Sequence, residues 1–193
     1  MTHHEPTVLM VPGWRGSGSE HWQSVWEREH SEYRRVKQRS WDSVYLTDWI
    51  FAIERSAATI PGEVVLVAHS LGCLAAVWWA ALGLPTAEKV RGAMLVAPPN
   101  LARKCGLLPA LSSFNPVPLR PLPFPSVLVG SEDDPYASPE DAAAMALAWG
   151  SEFRSAGAAG HINTASGHGD WPDGRRALEE LLASVQPGRA VCA

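Results

Sequence analysis

Apolar residues in this 193-residue chain fall into short unbroken runs separated by longer periodic stretches. Four runs stand out: Thr7 to Val11, Val64 to Val67, Ala93 to Ala97 and Ser126 to Gly130. Short runs of β-branched and aliphatic side chains predict strands covered on both faces, as in a parallel sheet. Arg35 to Arg39 and Phe153 to Ala156 are weaker strand candidates. Between them lie helical patterns over Glu20 to His30, Asp48 to Thr59, Leu71 onward, Pro139 to Trp149 and Gly174 to Val185. Ser17-Gly18-Ser19-Glu20 has the spacing of a capping box and predicts where the first helix starts. Strand and helix alternate throughout, so the class is α/β, a parallel sheet with helices on both faces. The length suits one domain over 1–193, and no internal repeat is visible. Frayed tails are expected over about 1–5 and 186–193.

Two stretches break the alternation. Residues Val64 to Ala87 carry no charge, a length that suggests a membrane span. His69, Ser70 and Gly72 interrupt it, and Gly83-Leu84-Pro85 ends it as a helix stop, so a buried strand leading into a buried helix is the better account. Pro98 to Pro125 is rich in proline, which removes amide donors. It reads as a surface excursion between two strands, a partial cover over a site.

Composition narrows the class further. Apolar residues make up 46% and charged residues 19%, enough to bury a sizeable core. The formal net charge of −4 disfavours nucleic acid as a partner, and the mixed-sign cluster Glu27 to Arg39 suits a solvated face. The first residues lack the basic and apolar regions of a secretion signal. Cys73, Cys105 and Cys192 are odd in number and not spaced as metal ligands. A reduced, cytoplasmic setting without membrane attachment is expected.

The serine inside the apolar run supplies the chemistry. Ala68-His69-Ser70-Leu71-Gly72 has the small-x-Ser-x-small form of a nucleophile elbow between strand and helix. Small residues are needed there because strand and helix approach closely; Ala68 stands where the first glycine usually does. The turn lifts the hydroxyl above the sheet and turns the Leu71 amide toward a bound oxyanion. A serine that merely caps the helix is the plainer alternative. A serine also needs a base, and the base needs an acid. Asp133 and Asp134 compete for the acid after the run ending at Gly130, Asp134 having its backbone restricted by Pro135. His161 and His168 follow the last strand candidate; His161, directly after Gly160, is preferred. His3 and His4 lack a third metal ligand, His21 and His30 suit helix packing, and His69 is too near Ser70 in sequence to serve it. The loop Pro12 to Gly18 offers the Trp14 amide as a second oxyanion donor, and no phosphate-binding glycine motif is present. Most of the nine tryptophans should be core, whereas Trp14, Trp171 and His168 are placed to line a substrate pocket.

Together PGWRGSGSEHWQSVWE, AHSLG, GSEDDPY and AGHINTASGHGDWPDG resemble the small serine hydrolases of the family that contains retinoblastoma-binding protein nine and many short bacterial hydrolases. The resemblance runs from the first strand to the last helix. It implies a compact three-layer α/β-hydrolase fold with about six strands in the order 2-1-3-4-5-6 and little lid. It further implies Ser70 as nucleophile, Asp134 as orienting acid and His161 as base, acting on a small ester or amide with no cofactor or metal. Leu71-Gly72-Cys73-Leu74-Ala75 lacks the acid of an L-x-C-x-E pattern, so a retinoblastoma-type partner is not implied.

Overall fold

A computed structural model of the chain describes residues 5–102 and 109–185. Its centre is a six-stranded sheet in the order β2-β1-β3-β4-β5-β6, every neighbouring pair parallel. The strands are β1 (Thr7–Val11), β2 (Arg34–Arg35), β3 (Val64–His69), β4 (Val90–Val96), β5 (Ser126–Gly130) and β6 (Glu152–Ser155). The helices are α1 (Trp22–Glu29), α2 (Leu46–Ala58), α3 (Leu71–Leu82), α4 (Pro139–Trp149) and α5 (Pro172–Val185).

Strand alternation sorts the core into two layers. Leu9, Val11, Leu66, Ala68, Leu95 and Leu128 face α2, α3 and α4. Val8, Met10, Val65, Val67, Met94 and Val127 face α1 and α5. β3 at the centre is buried at every position, which is why it reads as an unbroken apolar run.

Several boundaries shift, and three of the differences have a clear physical reason. The edge strand β2 stops at Arg35, short of the expected Arg39. Val36 still donates to Met10 O (2.9 Å), but the Lys37 amide turns to Ser56 Oγ (3.0 Å) and leaves the ladder. β4 begins three residues before its apolar run, because Arg91 points outward and pairs with Glu63 (2.7 Å). The capping box expected at Ser17 does not form. His21 caps α1 instead, its Nδ1 accepting the Gln23 amide, while Ser17 Oγ donates to Gln23 Oε1 (2.6 Å).

The described part of the Pro98–Pro125 excursion packs on α2, α3 and α4, with a 3-10 helix over Pro109–Phe114. Its prolines offer no amide, but its carbonyls accept indole N–H groups: Trp78 Nε1 donates to Phe114 O (2.9 Å) and Trp149 Nε1 to Pro118 O (2.8 Å). Phe114 is buried edge-on against Trp49. Among the described residues no helix is long and apolar enough to cross a membrane. The residues of the expected tails lie outside the described range apart from Glu5, as do His3, His4, Cys105 and Cys192.

Candidate active site

β3 runs into α3 through a single residue. Ser70 has φ 53° and ψ −127°, a backbone that L-residues rarely adopt, and its amide donates to Val96 O (2.9 Å). The elbow closes against β1: a Cβ on Gly72 would lie 2.4 Å from Val11 O and 2.5 Å from Pro12 O, so nothing larger than glycine fits. A Cβ on Gly13 would likewise lie 2.8 Å from Ser70 Cβ, which shows how closely the first loop passes the serine. As the first helical residue, Leu71 has no carbonyl four places back within α3 to receive its amide.

Loops after β5 and β6 bring the other two side chains to this point. His161 Nδ1 lies 2.9 and 3.0 Å from the two Asp134 carboxylate oxygens, and His161 Nε2 lies 2.8 Å from Ser70 Oγ. A carboxylate only accepts, so Nδ1 carries the proton and Nε2 is left to accept from the serine hydroxyl. The Asp134 side chain is 3% exposed and that of His161 10%. Asp134 also accepts the Tyr136 amide (2.9 Å), the turn its type favours two residues on. Tyr136 then sets its ring edge-on to the imidazole, centroids 4.5 Å apart.

The neighbouring carboxylate does something else. Asp133 accepts the Gly160 amide (2.6 Å) and the Ser131 hydroxyl (2.9 Å), and these bonds, the first above all, hold it below the usual carboxylate range. It therefore fastens the loop that presents His161. Gly160 turns with φ 57°, and Ile162 follows at φ 46°, an outlier for a β-branched residue. Full burial of Ile162 and the Trp22 indole N–H on its carbonyl (2.9 Å) hold it there.

His69, set aside from the sequence as too near Ser70 to serve it, and His21, read as helix packing, both reach the site. His69 Nε2 donates to the backbone carbonyl of His161 (2.9 Å), tying the elbow to the loop of the imidazole. Burial, reinforced by His21 and His161, holds its pKa well below the ordinary value, so the ring is neutral. His21 packs edge-on against His69 at 4.8 Å. Burial, then Arg35, pushes its pKa down to about 4. The only sequence signal for either role was the recurrence of histidine near the elbow and the first loop.

A cavity of about 530 Å³ opens over Ser70. Trp14, Leu101, Leu111 and Tyr136 supply apolar wall, and Arg15, Asn100 and Thr164 polar wall. Leu101 and Leu111 belong to the proline-rich excursion, which thus covers part of the site as expected. Trp14 lines the cavity, 38% exposed. Trp171 does not: its indole is buried against Trp22 (5.3 Å) and stacked on Trp26 (6.1 Å), in space left by Gly174. His168 is also off the wall. Its Nδ1 faces Ser166 Oγ (3.2 Å) and its carbonyl accepts the Trp22 amide (3.2 Å). Trp171 belongs instead to the apolar layer that packs with α1 and α5. Among the described residues no group of three or more His, Cys, Asp or Glu side chains assembles to hold a metal.

A family model described as serine hydrolase matches residues 8–180. A Pectobacterium atrosepticum protein described as a YdeN-like hydrolase is 36% identical, with TM-score 0.86 over 95% of this chain and 94% of that one. The ydeN gene product of B. subtilis is 19% identical, with TM-score 0.69 over 92% and 99% of the two chains. Est1E from Butyrivibrio proteoclasticus, solved with ferulic acid bound, is 15% identical, with TM-score 0.71 over 93% and 89%. The last two speak for the fold alone. No curated protein matches the chain.

Proposed function

Because this chain belongs to the serine hydrolase family, we propose that it cleaves a small carboxylic ester through an acyl-enzyme on Ser70. The observation that carries this reading is the unbroken chain of contacts from Asp134 through His161 to Ser70 Oγ, each 2.8 to 3.0 Å long. Ser70 Oγ bonds to the ester carbonyl carbon as its proton passes to His161 Nε2. The bond from that carbon to the alcohol oxygen breaks, and Nε2 returns the proton to the departing alcohol. Water then attacks the acyl carbon by the same exchange, giving the acid and free Ser70. Asp134 holds the imidazole in the useful tautomer and stabilises its charged form.

The Leu71 and Trp14 amides are the donors for the developing oxyanion. The free helix-start position of the first, and the close passage of Gly13 by Ser70 before the second, support that assignment. A cavity of about 530 Å³ with a mixed wall suits a small molecule.

A fluorophosphonate probe is expected to label the wild type and not Ser70→Ala; equal labelling of both would remove Ser70 from its role. In a panel of nitrophenyl esters and aminoacyl naphthylamides, ester turnover should dominate. Preference for the naphthylamides would move the reading to amide cleavage. No labelling and no turnover by a folded protein would leave a binding protein on a hydrolase fold.

A further inference from the structure

We propose that the substrate carries a second, unreacted carboxylate, and that Arg15 selects it. The proposal rests on the hydrolase reading above and narrows its substrate class.

Among the described residues Arg15 is the one cavity-lining residue with a permanent charge, and no aspartate or glutamate lines the cavity. Its guanidinium lies over the Trp14 ring, 4.6 Å from the centroid. Stacking covers one face and leaves the N–H groups around the edge for a ligand. Among the described residues no carboxylate or carbonyl takes them. Arg35, Arg91, Arg154 and Arg175, by contrast, each hold a carboxylate at 2.5 to 2.7 Å.

The backbone points the same way. Arg15 sits at φ 67°, a left-handed conformation that glycine would take without steric penalty. Its amide donates to Trp41 O and the Gly16 amide to Gly13 O, both at 3.0 Å, so the strained turn is fixed from two sides. An arginine held in a glycine's conformation on a cavity wall is the kind of strain that accompanies a site.

His21 also lines the cavity, but not as a donor to it. Its Nδ1 accepts the Gln23 amide, and burial keeps the ring neutral, so the proton resides on Nε2. That N–H is buried with no acceptor and closed off from the cavity, so Arg15 is the group left to meet an anion. Among the described residues the wall therefore carries one permanent cation and no carboxylate. A carboxylate is the complement, because its two oxygens match the planar guanidinium fork.

Calorimetric titration of glutarate into wild type and Arg15→Gln tests the site without turnover. Wild type is expected to bind, and Arg15→Gln at least about tenfold more weakly, the loss of a charge-assisted pair. Arg15→Lys, which keeps the charge and loses the fork, should fall between. Turnover of monomethyl glutarate and of acetylglycolate, set against methyl valerate, places the carboxylate on the acyl or the alcohol side. Arg15→Gln should lower kcat/KM for one of the anionic esters about tenfold more than for methyl valerate; an equal loss on all three esters would overturn the assignment. Fluorophosphonate labelling with equal glutarate binding by the two proteins, or none by wild type, overturns the Arg15 assignment and leaves the hydrolase reading standing. Glutarate binding that depends on Arg15, without labelling, keeps the anion site and sinks the hydrolase reading.

Discussion

Asp133 and Asp134 share a side chain and divide the work: one fastens the Gly160 amide, the other faces the imidazole. Asp134→Asn should therefore lower kcat on the order of a thousandfold or more with little loss of stability, as the imidazole loses its tautomer. Asp133→Ala should do the reverse, lowering the thermal midpoint more than kcat; equal kinetic damage from both would contradict the division. The sequence alone left the pair open because the two differ only in which way a folded loop turns each one. Ser70 was legible from the elbow after an apolar strand, and His161 from its place directly after Gly160 past the last strand candidate; Trp171 was misplaced because a loop tryptophan does not reveal that Gly174 opens a slot for it. His21 carries a pH consequence. Its folded pKa of about 4 lies below the unfolded 6.5, so its contribution to stability is complete above 6.5. That contribution, about 3 kcal/mol, is lost as pH falls toward 4. His69, depressed in the same direction, adds to the trend. Urea unfolding of His21→Asn, which keeps a capping oxygen and cannot take up the proton, should show a shallower fall over that window.

At the scale of elements, the site depends on how closely α3 sits behind β1. Backbone oxygens of Val11 and Pro12 cannot retreat as a flexible side chain would. Gly72→Ala should cost about 3 kcal/mol in urea unfolding and reduce fluorophosphonate labelling through displacement of the elbow. An unchanged midpoint would mean that the two elements have slack. The strands β1 and β5 and the helix α4 were readable to the residue, since apolar runs and a Ser-Pro start mark them. The start of α1 was not, because two acceptors near its first turn were available and Ser17 became engaged with Gln23 instead. β2 was overextended because its end is set by Ser56, a residue of α2 that local pattern cannot foresee.

Across the whole molecule, the sheet divides two apolar layers that share no side chains. Ile53→Val in one layer should cost about 1 kcal/mol and Leu178→Ala in the other about 3 kcal/mol. Their sum should hold in the double variant within about 0.5 kcal/mol. A larger departure in urea unfolding would show that strain crosses the sheet. The α/β layering was legible from alternation and the strand order from the family resemblance, whereas the contribution of the proline-rich excursion to the cavity wall was foreseen only as a cover. Every residue assigned to chemistry sits beyond the carboxyl ends of the strands. The opposite rim, where Pro61 and Gly62 turn exposed into β3, carries none. A foreign peptide spliced between those two residues should thus leave the reactive serine as quick toward its probe as before, which makes that turn a natural handle for tethering the protein to a support.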